Sequence, residues 1–193
     1  MDVQVYFNFR SPYCYLASRT MFDVIEQAGN RLVWRPLGGW YGRTPQDHPR
    51  LQDKVRIARQ DLGRIARKKG FIFCPPPKDC DPTLPALGSL YAGKVGKLRL
   101  YVETVMLKEW GEGLDVGRED ILVELACGIG LDGEEFKAAL HSEEGQDQLS
   151  CNWQEAVTKG VIGVPTFVAN DQIFWGHDRL GWLRDYLDEQ AGA

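Results

Sequence analysis

The sequence predicts an α/β fold in which a β-α-β unit and a β-β-α unit are separated by a long helical insertion. Three observations carry that expectation. Residues 2–9 alternate apolar and polar side chains with the period of a strand. From residue 51 to about 159 the apolar residues recur at helical spacing, broken by Pro- and Gly-rich turns. From 164 onward two short strand patterns flank the turn signal Asn170–Asp171, and an amphipathic stretch closes the chain. We therefore expect a split domain formed by 1–46 with 158–193, and an inserted helical subdomain spanning 47–157. The 193 residues suffice for one domain carrying such an insertion.

Each element has a local reason. Val3, Val5, Phe7 and Phe9 face one side of the first strand, and Asp2, Gln4, Tyr6 and Asn8 the other. Ser11 and Pro12 then supply a capping hydroxyl and a proline at the first helical position. Leu16, Thr20, Met21, Val24 and Ile25 continue at helical spacing, predicting one helix that ends at Gly29. "RLVWRP" reads as the second strand, stopped by Pro36. Leu51, Val55, Ala58, Leu62 and Ile65 make an apolar stripe on a charged helix over 51–69. "CPPPKDCDPTLP" interrupts helical structure, because its prolines lack the N–H that a helix interior needs. Further helices are expected near 84–109, 117–128, 133–141 and 144–159, with turns at "WGEG" and "GIGLDG". "VPTFVA" and "QIFWG" read as strands, and Leu180, Leu183 and Leu187 align on the last helix. No internal repeat is present.

Composition narrows the function classes. A net charge of −4 argues against a broad nucleic-acid footprint. No apolar run is long enough to cross a bilayer, so no membrane partner is expected. The chain starts as a strand, without a secretory leader pattern, and its five cysteines form no compact framework. Reduced thiols and a cytoplasmic location are the expectation.

The chemistry centres on "VYFNFRSPYCYLA". A cysteine at position 11 would complete a C-P-Y-C dithiol centre; Ser11 stands there instead and leaves Cys14 without a redox partner. Ser11 serves as a helix cap, and its hydroxyl at a helix N-terminus would also stabilise a thiolate presented there. As a nucleophile Ser11 lacks a base: His48, His141 and His177 lie in no triad motif, and there is no G-x-S-x-G elbow. Cys14 reads as a buried structural thiol. Cys74 and Cys80 match no common zinc spacing, so no metal site is expected. A cis peptide at Val164–Pro165 would turn the Val164 backbone outward to pair with an extended peptide. Asp178 either caps the last helix or receives a ligand ammonium, with backbone N–H groups at that helix start holding a carboxylate.

Four stretches together resemble a known family: "FNFRSPYCYLA"; Lys54, Asp61, Leu62, Arg64 and Ala66; "WGEG" at 110–113; and "GVIGVPTFV…FWGHDRL" at 160–180. In this order they resemble the 2-hydroxychromene-2-carboxylate isomerases and the related kappa-class glutathione transferases. Both groups belong to the DsbA-like branch of the thioredoxin superfamily. The resemblance implies a thioredoxin-like domain with an inserted helical subdomain, a homodimer, and reduced glutathione as cofactor. It implies isomerisation of 2-hydroxychromene-2-carboxylate-type substrates to trans-o-hydroxybenzylidenepyruvate-type 2-oxo acids in aromatic-hydrocarbon breakdown, by reversible addition of glutathione thiolate.

Carried over residue by residue, Ser11 would hold the glutathione sulfur as thiolate. Val164, followed by Pro165, would pair with the cysteinyl backbone. Asp178, with His177 and Arg179, would hold the γ-glutamyl end. Lys54 would meet a carboxylate of glutathione or substrate. Where the isomerases tend to carry an asparagine in the loop before Lys54's helix, this chain reads "RTPQDHP", which brings His48 into that place. The anionic substrate calls for a cation, and Arg43 joins Lys54 and His48 as a candidate, although Lys54 and Arg43 suit a solvated face equally. Trp40, Tyr41 and Trp110 are candidates for an apolar wall against the aromatic ring, or for core packing. Three alternatives stand beside the isomerase. A transferase would deplete free thiol, a noncatalytic glutathione or peptide binder would show no turnover, and a dithiol oxidoreductase is disfavoured by Ser11.

Overall fold

The computed structural model describes residues 1–27, 29–39 and 51–192; of Leu51, Gln52 and Lys54 it describes the backbone only. A four-stranded sheet forms from the two ends of the described chain. β1 (Asp2–Phe7) pairs parallel with β2 (Arg31–Pro36), and on its other side antiparallel with β3 (Thr166–Ala169). β4 (Gln172–Trp175) pairs antiparallel with β3, giving the order β2-β1-β3-β4. Asn170, at φ 51°, makes the tight turn between β3 and β4 that the Asn-Asp pair predicts.

β1 is covered on both faces. Val3, Val5 and Phe7 enter the larger core, while Tyr6 packs with Leu37, Ala156 and Val168 on the opposite side. Only the first of these faces was legible as apolar from the alternation, since Tyr6 reads as polar.

The first helical stretch divides into α1 (Pro12–Ser18) and α2 (Met21–Glu26), where one helix was expected. Ser18 explains the break: its hydroxyl donates to the Tyr15 carbonyl at 2.8 Å, a local bond that competes with helix continuation. α3 (Leu51–Lys69) matches its predicted span, with Leu62 buried; Val55, expected on the buried stripe, is 40% exposed.

The expected helix at 84–109 also divides. α4 (Thr83–Lys94) ends where Gly96, at φ +72°, lets Lys97 N–H reach the Ala92 carbonyl at 2.7 Å, the six-residue closure that terminates helices. α5 (Leu98–Met106) then runs into a π-helical turn, Leu107–Gly111. α6 (Glu119–Gly128), α7 (Gly133–Leu140) and α8 (Glu143–Thr158) follow close to expectation. After β4, a 3-10 turn (His177–Arg179) leads into α9 (Leu180–Ala191), which buries Leu180, Leu183 and Leu187.

One core runs through sheet and insertion. Phe7 and Phe9 beneath the sheet join Val102, Met106, Trp110 and Phe136 of the helices, and Leu183 and Leu187 of α9. The inserted helices therefore form one wall of the interior that supports the end of β1, and displacing them would move that end. Among the described residues no helix is long and apolar enough to cross a membrane.

Candidate active site

Ser11 sits where β1 hands over to α1. Its Oγ accepts from Cys14 N–H at 3.4 Å, capping α1, and donates to the Val164 carbonyl at 3.3 Å. Both bonds are long, so the hydroxyl is held loosely and is free to turn toward a stronger acceptor. α1 has only seven residues, so the hydroxyl and its neighbouring amides matter more here than a long helix dipole.

The segment before Ser11 is fastened on every side. Asn8 Nδ2 donates to the Leu37 carbonyl at 2.8 Å, and Asn8 Oδ1 accepts from Arg10 N–H at 2.8 Å. Asn8's own carbonyl accepts from Ser11 N–H at 3.0 Å. From the insertion, Trp110 Nε1 donates to the Phe9 carbonyl at 2.9 Å. Arg10 Nη2 donates to the Lys78 carbonyl at 2.5 Å.

Two buried titratable groups lie beneath. Burial pushes the Cys14 thiol up to about 12, against the opposing effect of hydrogen bonds to Asn8 and Ser11. Cys14 is therefore a neutral thiol at ordinary pH and supplies no thiolate of its own. Glu109, in the π-helical turn, is fully buried. Burial raises its carboxyl well above the usual range, with the Arg10 charge opposing, and Cys80 Sγ donates to Oε1 at 3.8 Å. Its Oε2 has no hydrogen-bond partner among the described residues.

On the far side of Ser11 runs a ledge of backbone. Val164–Pro165 is cis, the geometry that would turn the Val164 backbone outward, and Val164 N–H has no backbone partner among the described residues. The Pro165 carbonyl accepts from Gly176 N–H at 2.9 Å, tying the ledge to the turn that carries His177 and Asp178. Gly176 adopts φ +114°, and a Cβ there would sit 2.5 Å from Asp178 Oδ1, so only glycine admits this close approach of carboxylate to backbone.

His177 is half-buried and stacks on Tyr13, with centroids 5.5 Å apart and planes at 16°. Burial lowers its pKa; Asp178 and Asp61 oppose this and the Lys69 charge adds to it. The imidazole is thus neutral near pH 7. Tyr13 OH in turn donates to Asp61 Oδ2 of α3 at 3.4 Å. Asp178 and Arg179 are exposed and pair at 3.5 Å.

Of the residues singled out from sequence, Ser11, Val164, Pro165, His177 and Asp178 thus form one continuous edge, with Arg179 beside it. Trp110 does not line an open wall: it is 5% exposed, stacked parallel to Phe73, with its indole N–H on the Phe9 carbonyl. A ring anchored on both sides in the core fixes backbone instead. Trp40, Tyr41, Arg43 and His48 lie outside the described residues, and so does the side chain of Lys54, whose backbone belongs to α3. Tyr13 and Glu109 were missed. Tyr13 sits inside a quoted motif and Glu109 immediately before one, but tyrosine in a first helical turn and glutamate before a tryptophan carry no pattern that separates them from surface residues. Among the described residues no group of three or more His, Cys, Asp or Glu is placed to hold a metal ion.

The DSBA-like thioredoxin domain matches residues 2–188, from β1 into α9. The chain belongs to the DSBA-like thioredoxin family. Within it, 2-hydroxychromene-2-carboxylate isomerase from Sphingobium xenophagum is 29% identical over 194 residues, 96% of this chain and 97% of that protein. The enzyme of the same name from Pseudomonas putida is 27% identical over 197 residues, 97% of this chain and 94% of that one. A solved structure of 2-hydroxychromene-2-carboxylate isomerase superposes with a TM-score of 0.83 at 25% identity, covering 98% of this chain and 96% of that chain. The cytosolic disulfide reductase DsbM from Pseudomonas aeruginosa, solved with GSH, shares the fold at a TM-score of 0.70 and 19% identity. Among these DSBA-like proteins, the family resemblance read from the motifs therefore extends over nearly the whole chain.

Proposed function

We propose that this chain is a glutathione-dependent isomerase acting on 2-hydroxychromene-2-carboxylate-type substrates, working in the cytoplasm as a homodimer. The observation that carries the reading is the Ser11 hydroxyl set 3.3 Å from the Val164 carbonyl. A loosely held O–H beside a free backbone edge suits a peptide that carries its own thiol. The names of relatives spanning nearly the whole chain support the isomerase, and Ser11 in place of a first cysteine disfavours dithiol chemistry.

The residues fit the cofactor. Bound glutathione supplies a sulfur nucleophile that can add to a conjugated double bond and leave again unchanged. Ser11 Oγ donates to that sulfur and favours its ionised form. Val164, through its N–H and carbonyl, fixes the cofactor's backbone, so that the sulfur meets Ser11 in one register. Asp178 takes the terminal ammonium, while neutral His177, stacked on Tyr13, shapes the edge without adding charge. Buried Cys14 stays protonated beneath and offers no competing thiolate.

The test follows the ultraviolet spectrum of 2-hydroxychromene-2-carboxylate with purified protein, with and without glutathione, while free thiol is titrated. Conversion to the trans product only with glutathione, at constant thiol, is expected. Stoichiometric loss of thiol would identify a conjugating transferase instead, and tight binding without turnover a noncatalytic module.

A further inference from the structure

Among the described residues Glu109 is the only buried carboxyl, with no exposure to solvent. Packing gives no reason for it. One oxygen accepts from the Cys80 thiol at 3.8 Å and the other has no described partner, so an apolar side chain of similar length would lie there at lower cost. Its place in the fold supplies a reason. Three segments converge on it: the β1–α1 junction through Arg10, the stretch 74–82 through Cys80, and the chain leaving its own turn through Asp115. Two of these are also joined to each other, since Arg10 Nη2 donates to the Lys78 carbonyl at 2.5 Å. The next residue, Trp110, is fastened to the same two segments. Its indole N–H donates to the Phe9 carbonyl at 2.9 Å, and its carbonyl accepts from Cys74 N–H at 2.8 Å.

The field of Glu109 reaches the Ser11 hydroxyl by two routes. It acts on Arg10, which directly precedes Ser11. It also acts on the Cys14 thiol, whose backbone N–H donates to Ser11 Oγ at 3.4 Å. A charge in this dry interior is screened little. Burial raises the Glu109 carboxyl well above the usual range, opposed by Arg10 and the Cys80 bond and aided by Asp115. Burial likewise raises the Cys14 and Cys80 thiols, so neither adds a charge at neutral pH. Ionising Glu109 therefore makes the ground beneath Ser11 more negative by one unit, whatever else Arg10 and Asp115 touch.

We propose that Glu109 is a positioning residue for the sulfur that Ser11 receives: as an uncharged acid it lets Arg10 favour an anion at Ser11, and as a carboxylate it cancels that effect. The inference rests on the glutathione reading above and goes beyond it, by naming a buried group outside the binding edge that sets how tightly the thiolate is held. An amide copies the acid. Glutamine keeps a carbonyl for the Cys80 thiol and offers N–H in place of O–H, so Glu109→Gln holds the uncharged state at every pH.

Urea denaturation over a pH series, followed by isothermal titration, decides it. A carboxyl whose pKa is raised on folding keeps its proton longer in the native state than in the unfolded chain. Wild-type stability should therefore fall relative to Glu109→Gln once pH exceeds about 4.3, the unfolded value, and the gap should level off where Glu109 ionises in the folded protein. Titrations on either side of that point compare glutathione with S-methylglutathione, whose sulfur cannot ionise. On crossing it, the wild type should lose about tenfold in glutathione affinity relative to Glu109→Gln, with no relative change for S-methylglutathione. Glu109→Met, uncharged but without the bond to Cys80, should follow the glutamine variant, which separates charge from hydrogen bonding.

A stability gap of opposite sign would show a paired carboxylate in the native state and overturn the proposal. So would a gap that never levels, because the folded protein would then never ionise Glu109. A constant glutathione ratio across the levelling point, or an equal shift for both ligands, would show that the charge does not act on the sulfur. Failure of the wild type to bind glutathione at any pH would remove the glutathione reading and this role with it. The urea series needs no ligand and tells that failure from the others.

Discussion

Ser11→Ala is expected to lower kcat/KM by about 10²–10³, the loss typical of removing one preorganised donor. Thiolate supply alone does not reach that figure. A free thiol of pKa about 8.5 is about 3% ionised at pH 7. Lowering it by two units would give about 75%, a gain of roughly 25-fold or about 2 kcal/mol. Holding the sulfur and the acceptor carbon in line contributes more, up to roughly 7–11 kcal/mol in well-oriented systems. On the proposed reading the Ser11 hydroxyl would act on both quantities, meeting the sulfur from a segment fastened by Asn8, Arg10 and Trp110. The pH profile separates them. If ionisation were everything, the variant's rate would climb to the wild-type plateau once pH exceeded the free thiol's pKa. We expect a shortfall that persists on the alkaline plateau, and full recovery there would refute the positioning role.

Trp110→Ala should unfold the protein at markedly lower denaturant, by about 3–5 kcal/mol, because a buried indole leaves a cavity that the helices cannot fill. Trp110→Phe separates packing from anchoring. It keeps most of the volume but strands the Phe9 carbonyl, which should cost about 1–3 kcal/mol as an unsatisfied buried acceptor. The Phe9 carbonyl lies two residues before Ser11, so the same variant should lower kcat with little change in KM. Urea denaturation together with steady-state kinetics measures both effects. A Phe variant that is destabilised yet has wild-type kcat would show that Trp110 packs without positioning.

The π-helical turn concentrates this dependence. It brings Glu109 and Trp110 to successive positions that both address the Phe9–Arg10 segment, one by charge and one by hydrogen bond. A regular helix would place neighbours about 100° apart, and the wider turn changes that spacing.

Much of this was written in local sequence. The strand alternation at 2–9, the proline-marked ends and the Asn-Asp turn located β1, β2, β3 and β4 correctly, because each is governed by neighbours a few residues apart. The Ser11, Val164 and Asp178 edge was legible only because three motifs with distinct turn chemistry recur in a recognisable order. The helix breaks at 19–20 and 95–97 were not legible. They depend on one serine's back-bond and one glycine's positive φ, both of which compete with good helical spacing on either side. Trp110's role was hidden for a different reason. Tryptophan suits a ligand wall and a core equally, and its partner carbonyl lies 101 residues away.

Cys14 survives at the second position of a C-P-Y-C pattern, protonated, sealed from solvent and hydrogen-bonded to the residue at position 11. Those are the attributes of a resolving thiol, which waits for a mixed disulfide to form next door and then displaces it. On the proposed reading the scaffold would hold half of a dithiol device and take its reacting sulfur from a bound thiol peptide. Ser11→Cys exchanges one oxygen for one sulfur, and with oxidised glutathione as electron acceptor the variant should close an 11–14 disulfide with the loss of two hydrogens, visible by intact mass. Isomerase and oxidoreductase would then stand as neighbouring states of one architecture, a single atom apart.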